Sequence, residues 1–151
     1  MVIIQDTREK HPFNFVFYGY ETSVATLKTG DYTLEGYEDI VCIERKKTPS
    51  ELANNLGRHK RRFDNEMERM SEFDCKYIVC EFPEEALLQF PKNSGMPKRV
   101  MKYVRMNGKY MRKCLYSYEE EYGVETIFCQ DRAEAEDKII SIFLEVVSED
   151  E

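Results

Sequence analysis

Seven consecutive residues, Ile40-Val41-Cys42-Ile43-Glu44-Arg45-Lys46, constrain this chain more than any others. The first four are apolar and mostly β-branched, as in a buried strand. The last three are charged, so the strand must end where core meets solvent. Side chains alternate along a strand, which sends Val41, Ile43 and Arg45 to one face and Cys42, Glu44 and Lys46 to the other. Upstream lies Gly30-Asp31-Tyr32-Thr33-Leu34, joined to the strand through Glu35-Gly36-Tyr37-Glu38-Asp39, a polar stretch with a glycine that suits a hairpin loop. Pairing Tyr32-Thr33-Leu34 with Ile40 to Ile43 brings Asp31 beside the Glu44 end. Two carboxylates and an ammonium then converge at a sheet edge. That is an oxygen site for a hard cation with a lysine beside it, a set suited to phosphodiester hydrolysis. A strand ending in charges more often just exits to solvent, and Glu-Arg-Lys is a common surface tripeptide. The combination of Gly-Asp upstream, an apolar strand before Glu44 and an amphipathic helix after it carries the weight.

Three blocks in this order, Ile3-Ile4-Gln5-Asp6-Thr7-Arg8-Glu9, Gly30-Asp31-Tyr32 and Ile43-Glu44-Arg45-Lys46, resemble the nuclease domain of the XPF-type endonucleases. The family signature is Gly-Asp, a variable spacer, Glu-Arg-Lys, three residues and Asp, preceded by Asp-x-Arg-Glu at a strand end. The chain departs at its tail: Ser50 stands where the last Asp is expected, and Glu51, one place later, is the substitute. Arg62-Phe63-Asp64-Asn65-Glu66 and Tyr77-Ile78-Val79-Cys80-Glu81 also sit where family members carry similar features. The likeness runs from about Val2 to Val147, strongly in the first half and loosely in the second.

The resemblance implies a restriction-endonuclease-like α/β core, a mixed β-sheet flanked by helices on both sides. It also implies a Mg²⁺-dependent DNA endonuclease, with Mn²⁺ as a substitute ion, acting on branched or single-strand/duplex junction DNA in repair, recombination or replication. Asp31 and Glu44 are then the metal ligands, with the Arg45 carbonyl a third, and Lys46 faces the scissile phosphate. Asp6 joins the catalytic and metal-binding acids. Glu9 joins it as a second-metal or outer pair, and Glu9 and Arg45 can also be structural. Glu81 reads either as part of the site or, preferably, as an ordinary strand-end charge. The rival reading is a non-catalytic DNA-binding or scaffolding module; family partners of that kind keep the fold and lose the acids, whereas Asp31, Glu44 and Lys46 are all present here.

A net charge of −7 at first argues against nucleic acid, but its distribution does not. Ile43 to Arg62 holds seven basic and two acidic residues, and Met96 to Lys113 holds seven basic and none acidic. Clustered base on an acidic body is the footprint of a face that holds a phosphate backbone. Arg58, Lys60, Arg61 and Arg62 form the first candidate DNA-binding patch; Lys98, Arg99, Lys102, Arg105, Lys109, Arg112 and Lys113 form the second, for which a solvated helix face is the equal alternative. In the family the chain resembles, junction preference depends on dimerisation, so a stand-alone domain is expected to gain affinity through a homodimer, a partner protein or its own basic patches. The five cysteines are scattered without ligand spacing, which reads as reduced core thiols and no zinc site. No apolar run suits a membrane span or a signal peptide, so a cytoplasmic location is expected, with a nuclear one open.

At 151 residues one domain is expected, over 1–147, with 148–151 a frayed acidic tail. Strands are expected at Val2-Ile3-Ile4, Ser23 to Leu27, Tyr77 to Cys80 and Val124 to Cys129. Phe13, Phe15 and Phe17 alternate, as in an edge strand or a packed loop. Leu52, Leu56, His59, Phe63, Met67 and Met70 form one stripe of a long helix from Pro49 to Met70, with a kink or break near Gly57. Glu84 to Phe90 is a short helical turn. Lys98 to Tyr122 is helical with a break at Asn107-Gly108, and Arg132 to Val147 is the closing helix.

Overall fold

A computed structural model describes residues 1–150. Its centre is one six-stranded mixed sheet. In chain order the strands are β1 (Val2–Asp6), β2 (Glu21–Ala25), β3 (Tyr32–Leu34), β4 (Val41–Lys46), β5 (Cys75–Cys80) and β6 (Glu125–Phe128). Their spatial order is β2-β1-β3-β4-β5-β6. β3 runs antiparallel to both β1 and β4, while the β1–β2, β4–β5 and β5–β6 pairs are parallel. The expected hairpin is present, with Tyr32 opposite Ile43. β4 is buried along its whole length, every residue including Glu44, Arg45 and Lys46 being inaccessible or nearly so.

The helices are α1 (Pro49–Leu56), α2 (Lys60–Met70), α3 (Glu84–Leu88), α4 (Lys98–Met101), α5 (Gly108–Tyr122) and α6 (Arg132–Glu149). The alternation of β4 divides the apolar residues as read: Cys42 packs with the α1, α2 and α5 side chains, Val41 and Ile43 with those of α6. Two layers of helix thus cover the sheet. Among the described residues no helix is long and apolar enough to cross a membrane.

Some boundaries follow the expectations and others differ. The break expected near Gly57 is present: Gly57 leaves the helical region at φ −103°, ψ −97° and α2 restarts at Lys60. The stripe survives the break: Leu52, Leu56, Phe63, Met67 and Met70 are all buried. Thr48 caps α1, its Oγ1 accepting the Glu51 N–H at 3.2 Å. Lys98 to Tyr122 is likewise divided, with α5 starting at Gly108 after an Asn107 cap. Only glycine fits there, since a Cβ would lie 2.0 Å from the Leu87 carbonyl oxygen. The phenylalanine run is a packed segment rather than an edge strand: Phe13 lies buried in a loop, and Phe15–Tyr18 is a 3-10 turn, capped by Asn14, with Phe13 and Phe15 packed on Tyr32. β2 begins two residues before the expected strand and ends at Ala25. α6 continues to Glu149, and Tyr37 donates a hydrogen bond to Asp150 at 2.9 Å, so 148–150 is not a frayed end. Glu151, also placed in that tail, lies outside the described residues.

Candidate active site

Gly30 and Asp31 are adjacent for a steric reason. Gly30 has φ +82°, and a Cβ on it would meet Cys42 Sγ at 2.5 Å and the Ile43 carbonyl oxygen at 3.1 Å. A residue with a side chain could not pass so close to β4 in that conformation. The close pass lets Asp31 donate its N–H to the Ile43 carbonyl at 2.8 Å and accept the Arg45 N–H at Oδ2 at 2.7 Å. Asp31 is therefore pinned by the backbone of the strand that carries Glu44. Because N–H and C=O of one strand residue share an edge, the Arg45 carbonyl turns to the same side.

Glu44 and Lys46 share the face toward α1 and α2. Lys46 Nζ lies 3.8 Å from Glu44 Oε1 and 3.6 Å from Glu51 Oε1, and 5.1 Å from the centre of the Phe63 ring. Glu51 reaches this point from the first turn of α1. Glu44 is buried, and its Oε2 has no hydrogen-bond donor. Burial and the charge of Asp31 push the Glu44 carboxyl well above the usual carboxylate range. Lys46 pulls it back, while hydrogen bonding to Glu66 and Asp31 raises it further. Burial alone would lower the Lys46 ammonium, but Glu44, Glu51, Asp31 and Glu66 together raise it above its ordinary value. The lysine is held charged, which suits electrostatic work better than proton abstraction.

The other face of β4 holds a separate network. Arg45 is enclosed: Nη1 donates to Glu9 Oε2 at 2.8 Å and to the His11 carbonyl at 2.6 Å, and Nε and Nη2 donate to Glu81 at 2.9 and 3.2 Å. Its guanidinium carbon sits 3.7 Å from the Phe13 ring centre. Burial works against the charge, and the hydrogen bonds to Glu81 and Glu9 outweigh it. Glu9 also accepts the Tyr32 hydroxyl at 3.0 Å. This sets Arg45 on the face that the strand alternation gives it and corrects one expectation, that for Glu81. Glu9 and the Arg45 side chain do not share the Glu44 face, because the pleat turns Arg45 away and a buried guanidinium draws its carboxylates after it. Glu81 is not a plain strand-end charge but half of that pairing.

Asp6 ends β1 at the rim. Its Oδ2 accepts Arg8 Nε at 2.8 Å, and its Oδ1 accepts Arg8 Nη2 at 3.2 Å and the Leu27 N–H at 2.8 Å. Burial would raise its carboxyl, but these bonds outweigh it and hold Asp6 below the usual range. The structure thus brings together Asp31, Glu44, Lys46 and Glu51, sets Asp6 beside them in its own ion pair, and places Glu9, Arg45 and Glu81 behind.

Glu66 of α2 is named by the sequence only as the end of the family-like segment from Arg62, without a role in the site. It follows Phe63 by three residues on a helix whose apolar stripe is plain, and only the turn of α2 over the β4 end brings it in.

Among the described residues, no three His, Cys, Asp or Glu side chains form a ready-made cage for a metal ion. A small hard cation does not need one, since Mg²⁺ takes one or two carboxylates and completes its shell with water and substrate oxygens. Asp31 and Glu44 fit that demand. Glu44 Oε2 is buried without a donor, and the carboxylates around it repel one another.

Of the basic residues, Arg58, Arg61 and Arg62 are exposed and line one hollow with His59 and Asn65. Lys60 is held by Asp64 at 2.7 Å. Lys98, Arg99, Lys102, Arg105, Lys109 and Lys113 are exposed, while Arg112 pairs with Glu84 at 3.6 Å. The two patches are neighbours in space: α1 and α2 both pack on α5, and Met106 lies against Gly57 at the α1–α2 turn. The turn after the site and the segment before α5, each carrying exposed basic side chains, therefore lie close together.

The ERCC4 domain profile matches residues 5–142. Among solved structures, XPF from Aeropyrum pernix superposes with a TM-score of 0.68 at 20% identity, over 94% of this chain and 59% of that one. XPF from Aeropyrum pernix in complex with DNA gives 0.70 at 19% identity, over 97% and 65%. The chain thus spans less than two thirds of the length of these solved chains. No curated protein sequence matches it.

Proposed function

The chain belongs to the ERCC4 domain family, and from that premise we propose that it is a divalent-metal-dependent DNA endonuclease acting on branched or junction-containing DNA. One observation carries the reading. Asp31 and Glu44 meet at the end of β4, beside the ammonium of Lys46, with a buried Glu44 oxygen that no donor in the protein serves. A protein without a cation or phosphate to hold gains nothing from such an arrangement and loses stability to it.

In this reading Asp31 and Glu44 hold Mg²⁺ or Mn²⁺, with the Arg45 carbonyl at the same edge. The bound ion would supply an acidified water and neutralise charge on the phosphorus centre. Lys46, kept charged by its carboxylate neighbours, faces the scissile phosphate and stabilises the charge that grows there. Glu51 steadies Lys46 from α1, in the part of the missing signature Asp. Asp6 and Arg8 frame the rim. The Arg58 to Arg62 hollow and the basic start of α5 take the phosphate backbone on either side of the cut, and a second copy or a partner protein would lengthen that surface. The rival, a non-catalytic scaffold, has no need to keep Asp31, Glu44 and Lys46 together.

The purified chain is to be tested on labelled single-stranded, duplex, flap and four-way DNA with Mg²⁺, Mn²⁺ or EDTA. Cutting of the branched substrates in either metal and none in EDTA is expected. No cutting of any substrate in either metal, by a folded protein that binds DNA, would overturn the proposal in favour of the scaffold.

A further inference from the structure

Glu66 is placed over the active site by the residues one turn either side of it. Phe63 carries the Lys46 ammonium on its ring at 5.1 Å. Arg69 donates from Nε to Thr29 Oγ1 at 3.1 Å, two residues before Asp31. Positions three apart share a helix face, so Glu66 sits on the stripe between a contact to the lysine and a contact to the Gly-Asp turn. It is half-buried, and it helps to push the Glu44 carboxyl up. Its charge also raises the Lys46 ammonium, the Cys42 thiol and the Arg8 guanidinium.

A surface acid on a helix is ordinary, but this one is not on open surface. It acts on Glu44, a buried carboxylate with an oxygen that has no donor. Two carboxylates can bond to each other only by holding a proton between them, and otherwise they repel. A cation between them removes the conflict.

We propose that Glu66 is a further carboxylate of the cation site, closing it from the α2 side. The inference rests on the metal-dependent reading above. Mg²⁺ and Mn²⁺ retain water when bound by few carboxylates, so Glu66 acts through that water while Asp31 and Glu44 touch the ion. Partners of this outer kind typically change metal affinity by about 10–100-fold when removed.

The test is Mn²⁺ titration of the purified chain by calorimetry, without DNA, for wild type, Glu66→Gln, Glu44→Gln and Glu68→Gln. Glu68 lies on α2 and is exposed, so its variant controls for loss of one negative charge. Glu66→Gln should weaken Mn²⁺ binding about tenfold or more. It should also shrink the rise in melting temperature that Mn²⁺ produces, while Glu68→Gln follows wild type. If Glu44→Gln loses Mn²⁺ but Glu66→Gln binds it as wild type does, the inference about Glu66 is wrong and the metal reading stands. Equal losses in Glu66→Gln and Glu68→Gln would also overturn it, as a general charge effect. If wild type itself binds no Mn²⁺, the metal reading and this inference fall together.

Discussion

The backbone N–H of Arg45 lies 2.7 Å from Asp31 Oδ2, while the side chain of the same arginine is enclosed on the opposite face of the sheet. One residue thus fixes the carboxylate in front through its amide and anchors the strand behind through its guanidinium. Arg45→Ala would leave Glu9 and Glu81 buried without their cation. Removing one partner of such a buried pairing costs about 3–5 kcal/mol. Urea denaturation should show a loss of that size; a midpoint within error of wild type would mean the pairing contributes little.

Glu44→Gln and Lys46→Ala are expected to slow cleavage by about 10²–10³-fold, the effect of losing roughly 3–4 kcal/mol of transition-state stabilisation. DNA affinity should hardly change, because the basic surface is untouched. Single-turnover rates with a saturating flap substrate decide the matter. Wild-type rates from a folded Glu44→Gln protein would move the active site elsewhere.

Asp6 carries a pH signature. Its folded-state carboxyl is held below its ordinary value of 3.8 against burial, by Arg8 and the Leu27 and Arg8 amides. A depressed carboxylate contributes stability that is present above its unfolded pKa and lost as pH falls through the folded one. Asp6→Asn should therefore cost about 1 kcal/mol near neutral pH, and the gap to wild type should close below about pH 3.8. Melting curves from pH 3 to 7 test this, and a gap independent of pH would show that the charge on Asp6 is not what matters.

Glu51 and Thr48 separate site from scaffold within one helical turn. Glu51→Gln should reduce metal-dependent cleavage with little change in stability, since its oxygen lies 3.6 Å from Lys46 and is partly exposed. Thr48→Ala should do the reverse, removing a cap worth about 1 kcal/mol. Ser50→Ala should change neither. Equal cleavage by Glu51→Gln and wild type across a Mg²⁺ titration would retire Glu51 as the signature's substitute acid.

The basic surface is tested by charge reversal in pairs. Arg61→Glu with Arg62→Glu, and Lys102→Glu with Arg105→Glu, should each weaken DNA binding and flatten its salt dependence, by about one unit of slope for each phosphate no longer neutralised. Screening over about 8 Å hides the distant acidic body from a phosphate at this surface. Fluorescence anisotropy across a salt series reads both quantities. Unchanged slopes in both pairs would make these residues plain solvated surface.

The sequence by itself determined the elements whose cause is local. Alternation along Val41 to Lys46 sets which charges share a face, and the hairpin spacing puts Asp31 at the Glu44 end. Three- and four-residue spacing marks the buried stripes of α1, α2, α5 and α6. The signature residues and a profile match over 5–142 agree on the family. Tertiary structure decided everything that depends on which strand ends lie side by side. The parallel register of β4 with β5, Lys46 opposite Cys80, sets Glu81 next to Arg45 across 36 positions of chain, and no periodicity records that neighbour. The same pleat that turns Glu44 to the cation side sends Arg45 to the back, so Glu9 follows it there rather than joining Asp6. Glu66 enters the site because the break at Gly57 redirects α2 across the end of β4, and the two basic segments lie close together because α1 and α2 both pack on α5. Local pattern dictates which face a side chain takes; only the packed sheet and helices dictate what stands opposite it.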